Sequence, residues 1–150
     1  MERQAAARLF DQFGDDVFRL ALSYLGNRYD AEDVCQGVFL KLIEHDVTIS
    51  DGKEKAFLLT CTANDCKNLL RSFWRKNVGE LDDSLVFESD GDKEVWDAVM
   101  HLPTKYRLVV HLYYYEGYSQ NEIADILKIS VSAVQTRMSR AKKLLSKELD

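Results

Sequence analysis

The chain has 150 residues, 46% hydrophobic and 30% charged, which suits one domain or two small ones and excludes wholesale disorder. No apolar run is long enough to cross a bilayer, and the opening MERQAAARLF has no apolar stretch of the secretory kind, so the expectation is a cytoplasmic protein without a membrane partner. The net charge of −5 argues against a nucleic-acid binder until it is mapped along the chain. Residues 1–77 carry 11 bases and 12 acids, residues 78–92 carry 6 acids and no base, and residues 93–150 carry 9 bases and 7 acids. Local charge, not the total, decides where phosphate binds. The three cysteines, Cys35, Cys61 and Cys66, form no CxxC pair. They read as reduced, buried thiols in preference to a disulfide or a metal site.

In chain order, the first predicted helix spans about Ala5 to Leu25. Its apolar positions Leu9, Phe10, Phe13, Val17, Leu20, Ala21 and Tyr24 recur at three and four, giving one stripe, and Gly26-Asn27 makes a stop. The second runs from about Ala31, with Asp30 as N-cap, to Glu44, with Val34, Val38 and Leu42 as its buried stripe. The third runs from about Glu54 to Lys76. Its first half is apolar (Ala56, Phe57, Leu58, Leu59), with Phe57 read as core. Its second half turns basic with Lys67, Arg71, Arg75 and Lys76, beside Phe73 and Trp74 as stacking candidates.

VGELDDSLVFESDGD, residues 78–92, lacks sustained helical periodicity. It reads as a flexible acidic linker between two helical units, predicting several interdomain arrangements in the free protein; a long loop within one domain is the alternative. After it, Glu94 to Met100 forms a short helix, and another begins at Pro103, whose fixed φ suits a first turn, and ends near Gly117. No strand-like alternation survives, so the expected fold class is all-α.

The stretch YSQNEIADILKISVSAVQTRMSRAKKLL (residues 118–145) then provides two more helices. Ser119 with Glu122 forms a capping box, and Ser130 caps the last helix. Tyr118 with Ile123, and Ile129 with Val134, form apolar staples. Lys128 stands at the turn, where glycine is more comfortable if φ is positive. In the last helix Val131, Val134, Met138, Ala141 and Leu145 make the buried face, and Ser132, Thr136, Ser139, Arg140 and Lys143 face outward with Gln135 on the flank. Such a helix-turn-helix places its second helix in the DNA major groove, where short side chains allow deep entry and Arg or Lys reach bases or phosphates. On periodicity alone, a helical hairpin with a solvated basic face fits equally well.

The segment LPTKYRLVVHLYYYEGYSQNEIADILKISVSAVQTRMSRAKKLL resembles region 4 of bacterial sigma-70-type factors, in particular the extracytoplasmic-function (ECF) class. FDQFGDDVFRLALSYLGNRYDAEDVCQGVFLKL resembles region 2, and KAFLLTCTANDCKNLLRSFWRKN the promoter-melting helix that follows it. The resemblance implies a region 2-like domain over 1–77 for core-polymerase binding and minus-ten recognition, a linker over 78–92, and a region 4-like domain over 93–150 for minus-thirty-five recognition. Asp33, Gln36 and Phe39 stand at the region 2 marker; Asp33 and Gln36 match positions that engage the clamp helices of the polymerase β′ subunit. Asp33 also suits the positive N-terminus of its helix. Asn64, Lys67, Asn68, Arg71 and Arg75 match the minus-ten surface, and the loop around Asp46 to Lys53 the segment that captures a flipped base. Ser132, Gln135, Thr136, Ser139 and Arg140 are placed towards the minus-thirty-five bases or phosphates, with Arg137, Lys142 and Lys143 as phosphate or packing residues.

The implied partners are RNA polymerase core, through the β′ clamp helices and the β flap, promoter DNA, and an anti-sigma factor. No cofactor, metal or catalytic residue is implied, because the polymerase performs the chemistry. Three departures stand out: Gly37 replaces an acid beside the glutamine, Asn68 an aspartate, and Ser132-Ala133 a glycine-threonine pair. The competing reading is a response-regulator-type operator-binding protein, which needs the helix-turn-helix but not the Asp33/Gln36/Phe39 block. An enzyme finds little support: His45, His101 and His111 fall in no triad or metal-ligand pattern, and Asp30, Glu32 and Asp33 sit at a helix start, where acids are expected.

Overall fold

The computed structural model describes residues 1–74 and 93–149, all helix and connecting turns. The chain divides into two compact units, residues 1–80 and 81–150. The expected linker, residues 78–92, lies outside the described residues, as do Arg75, Lys76 and the Phe73 and Trp74 rings.

The first unit holds α1 (Arg3–Leu25), α2 (Arg28–Glu44) and α3 (Glu54–Trp74). Gly26 ends α1 in the left-handed conformation (φ 65°), donating its N–H to Leu22 O at 2.8 Å. A β-carbon is strained there, so the glycine is a stop the chain needs. Expectation and structure part at the next step. Asn27, not Asp30, caps α2: its side chain accepts from Asp30 N at 3.1 Å, so α2 begins one turn earlier than its apolar pattern suggests. Asp30 then sits inside the first turn, where its charge favours the helix dipole.

All three helices turn one stripe inward. Val17, Leu20, Ala21 and Tyr24 meet Ala31, Val34, Val38 and Leu42, and Leu58, Leu59, Ala63 and Cys66 close the core from α3. Each fully buried leucine contributes about 2 kcal/mol relative to exposure, so this layer of large aliphatics sets the unit's stability. Phe10 departs from the predicted stripe and stays 47% exposed, and Phe57 is only partly buried. Thr62, buried among apolar neighbours, satisfies its hydroxyl by donating to Leu58 O at 2.7 Å. At the surface, Lys41 bridges α2 to Asp65 of α3 at 2.9 Å.

The second unit holds α4 (Lys93–Met100), α5 (Thr104–Val110), a π-helical turn (His111–Tyr115), α6 (Gln120–Leu127) and α7 (Val131–Leu149). Pro103 falls one position outside α5, with an extended ψ of 144°. The helix expected to run to Gly117 widens at its end instead. Glu116 N donates to His111 O, Tyr118 N donates to Leu112 O, and Gly117 takes φ 74°. That widening encloses the His111 ring, which stacks on Tyr115 with centroids 5.6 Å apart and brings Nε2 within 3.3 Å of Glu116 Oε1.

Arg107 is buried to 4% exposure between α4 and α5, donating to Met100 O (3.0 Å), Leu102 O (3.4 Å) and Thr104 Oγ1 (3.2 Å). Burial pulls its guanidinium down to about 10, still charged at neutral pH. It thus serves carbonyls that the end of α4 leaves without helical partners. Val99, Leu102, Val110 and Ala141 form a small apolar cluster around which α4, α5 and α7 meet.

Candidate polymerase and nucleic-acid interfaces

Along α2, the inward stripe leaves Asp33 and Gln36 exposed on the outer side, where spacing places them together. Phe39 does not share that exposure. It is 6% exposed and meets Phe10 edge-on, with ring centroids 5.1 Å apart. It lies one turn beyond the buried Cys35, so the helical period carries it into the core, where it supports the outer face from beneath. Two residues that the sequence reading passed over complete that face. Tyr29 (78% exposed) and Leu40 (53% exposed) extend the Asp33–Gln36 stripe in both directions. Their signal is present in the spacing 29, 33, 36, 40, which follows the helical period on the side opposite the inward stripe. Gly37 lies in the same stripe, and a β-carbon there would meet nothing within 4 Å.

Cys35, behind this face, donates Sγ–H to Gly14 O at 3.6 Å, and burial pushes its thiol up to about 11. Burial also raises Cys66. No disulfide forms among the cysteines; Cys35 and Cys66 are buried and Cys61 is partly exposed.

On α3, Asn64, Lys67, Asn68 and Arg71 recur at three and four, opposite the buried Leu59, Ala63 and Cys66. Asn68 and Arg71 are exposed, while Asn64 and Lys67 are half-buried. Asp65, whose charge would repel phosphate beside Asn64, is bound to Lys41 by both carboxylate oxygens at 2.9 Å. Arg75, the last residue of the expected stripe, lies outside the described residues. In the loop before α3, Asp46 and Gly52 take positive φ (50° and 81°).

The helix-turn-helix is built by its caps. Ser119 Oγ accepts from Glu122 N at 3.2 Å and Glu122 Oε1 accepts from Ser119 N at 3.1 Å, completing the capping box. Lys128 ends α6 at φ 58°, and Ser130 Oγ accepts from Ala133 N at 3.0 Å to start α7. The connection is only Lys128, Ile129 and Ser130, so the left-handed lysine sets the turn between the helices. Val134, Met138 and Ala141 are buried, whereas Ser132, Gln135, Thr136, Ser139, Arg140 and Lys143 form one exposed stripe on α7. Arg137 is half-buried beside it. Gln135 Nε2 donates to Gln120 Oε1 at 3.3 Å, which adds the first residue of α6 to this surface. Gln120 was not legible in the sequence, because fifteen residues separate the pair.

Among the described residues no group of His, Cys, Asp and Glu could hold a metal ion, and no helix is long and apolar enough to cross a membrane.

Residues 9–76 match the family Sigma-70 region 2, and residues 92–145 match Sigma-70, region 4. The chain is 31% identical over 149 residues to the ECF RNA polymerase sigma factor SigL of Mycobacterium tuberculosis, covering 91% of this chain and 84% of that one. It is 26% identical over 169 residues to the ECF RNA polymerase sigma factor SigW of Bacillus subtilis, covering 99% and 90%. The fold is similar to that of the sigma factor RpoE from Bartonella quintana, solved in complex with the anti-sigma factor NepR, with a TM-score of 0.81 at 20% identity over 95% of each chain. With both sigma-70 regions in order and a relative of this identity matched along most of its length, the chain belongs to the ECF class of RNA polymerase sigma factors.

Proposed function

We propose that this sigma factor binds RNA polymerase core through the outer stripe of α2 and reads promoter DNA with α3 and α7. The observation that carries this is the separation of face chemistry. The α2 stripe mixes Asp33 and Gln36 with exposed Tyr29 and Leu40, a composition suited to a protein surface. The α7 stripe is polar and basic, the composition that phosphate and base edges select.

In this reading Asp33 and Gln36 contact the β′ clamp helices, with Phe39 fixing their helix from the core. Asn64, Lys67, Asn68, Arg71 and Arg75 meet the minus-ten element, and the Asp46–Lys53 loop receives an unstacked base. Ser132, Gln135, Thr136, Ser139 and Arg140 face the minus-thirty-five element, while Arg137 and Lys143 serve the phosphates beside it. The second unit also docks on the β flap, and an anti-sigma factor holds the chain inactive. The protein has no catalytic residue of its own, needs no cofactor and works in the cytoplasm, where the polymerase is. The operator-binding alternative is not favoured, since it leaves the region 2 match over residues 9–76 without a role.

The test is promoter-directed transcription by core polymerase reconstituted with the full chain, on promoters selected by that holoenzyme from a random library. Arg140→Ala should lower it by about 10-fold or more while leaving assembly with core intact. Undiminished transcription by the variant would remove α7 from promoter recognition.

A further inference from the structure

The exposed stripe of α7 does not end at its own helix. Where α5 packs against α7, a cavity of about 390 Å³ opens between Lys105, Tyr106, Ser132, Thr136, Arg137 and Arg140. Three cationic side chains and four hydroxyls (Tyr106, Ser130, Ser132 and Thr136) surround it, and no carboxylate lines it. The Tyr106 ring packs at the rim of the apolar cluster of Val99, Leu102, Val110 and Ala141, which fixes its position. The Tyr106 phenol shares this cavity with the Arg140 side chain, and Lys105 Nζ lies 5.1 Å from the ring centroid.

We propose that Lys105, Tyr106 and Arg140 form a site for one DNA backbone phosphate beside the recognition helix, in which Lys105 meets the oxyanion and Tyr106 is the positioning residue for Arg140. The inference rests on the reading of α7 as a DNA-recognition helix and extends it to a second helix. Two physical points support it. A guanidinium only donates and a phenol oxygen accepts, so Tyr106 is suited to hold the Arg140 side chain that shares its cavity. The neighbouring Arg140, with the charge of Lys105, holds the Tyr106 phenol below its usual range, as expected of an oxygen in a cationic pocket. An exposed arginine loses rotamer freedom on gripping a ligand, and a neighbour that holds it beforehand reduces that loss.

The probe is a fluorescent 20-base-pair duplex of arbitrary sequence, since a phosphate site does not depend on sequence, bound to the full-length chain over a range of chloride concentrations. Lys105→Ala should lower the slope of log affinity against log salt by about 1, and Lys105→Arg should restore it. Tyr106→Phe, which keeps the packed ring, should weaken binding by about 5-fold, and that loss should vanish in an Arg140→Ala background. Circular dichroism on each variant separates these effects from unfolding. Wild-type slope and affinity in both α5 variants, with Arg137→Ala and Arg140→Ala impaired, would overturn the proposal and leave α7 as the DNA helix. Additive losses in Tyr106→Phe/Arg140→Ala would overturn the positioning role. No loss in any of the four variants would overturn the α7 reading together with this extension.

Discussion

The two units reach stability by different means. In the first, three long helices share a core of large aliphatic residues, and few polar groups are needed inside it. In the second, α4 and α5, of eight residues or fewer, meet the longer α7 around a smaller apolar cluster, and polar pins complete the work: Arg107 under α4 and the serine caps of α6 and α7. The contrast follows their tasks. A helix-turn-helix must hold the eight-residue α6 at a sharp turn against α7, and a short helix has a large share of unsatisfied ends. Capping and buried hydrogen bonds therefore carry weight there that apolar burial carries in the first unit.

The largest expected effect breaks the second unit alone. Arg107→Ala leaves buried carbonyls unpaired and should destabilise that unit by about 3 kcal/mol. Chemical denaturation followed by circular dichroism should show one transition moving and the other fixed; loss of both at once would mean that the units do not fold independently.

Alkali should act on the other side of the comparison. The Cys35 thiol is raised from 9.0 to about 11 by burial, so the folded state holds its proton more tightly than the unfolded chain. The stability this gives is complete below pH 9 and is lost as pH rises through about 11. Arg107 has the opposite sense: its folded value is depressed, so rising pH through about 10 does not weaken the second unit by this route. The first unit's denaturation midpoint should therefore fall between pH 8 and pH 11, and Cys35→Ala should reduce that dependence, leaving the part that the buried Cys66 contributes. An equal fall in the variant would assign the effect to other groups.

Two smaller changes refine the picture. Ser119→Ala removes half of the capping box and should cost the second unit about 1 kcal/mol. Gly37→Ala should stabilise the first unit by about 0.5–1 kcal/mol, because the added methyl meets nothing within 4 Å on a helix whose glycine only costs entropy. Thermal melts of both variants give the signs, and a destabilised Gly37→Ala would show that the glycine has a structural role on α2.

Much of this was legible in the sequence, because helical period and capping chemistry are local. Ser119 with Glu122, Ser130 and the inward Val134–Met138–Ala141 stripe all follow from spacings of three and four, whereas the sign of φ at Lys128 is set only by the structure. What escaped was set by packing or by competition between caps. Asn27 out-competed Asp30 as the cap because Gly26 had already broken the chain one turn earlier. The π turn at His111–Tyr115 adds one residue to a helical circuit, a change that a 3.6-residue period does not register. Phe39 went inward and Phe10 partly outward because the α1–α2 contact, not either helix alone, decides which aromatic is covered. Lys105 and Tyr106 join the α7 surface only through the packing of α5, which no local pattern reveals.

The most direct test of the central claim, that α2 presents a polymerase-binding face, is co-elution of the full chain with bacterial RNA polymerase core, wild type against Asp33→Ala/Gln36→Ala. Both side chains are exposed on α2, so the double variant should fold as wild type by circular dichroism. The account predicts that wild type co-elutes at low salt and that the folded double variant loses at least about 10-fold in affinity. Failure of the wild type to co-elute, or undiminished co-elution of the double variant, would contradict it.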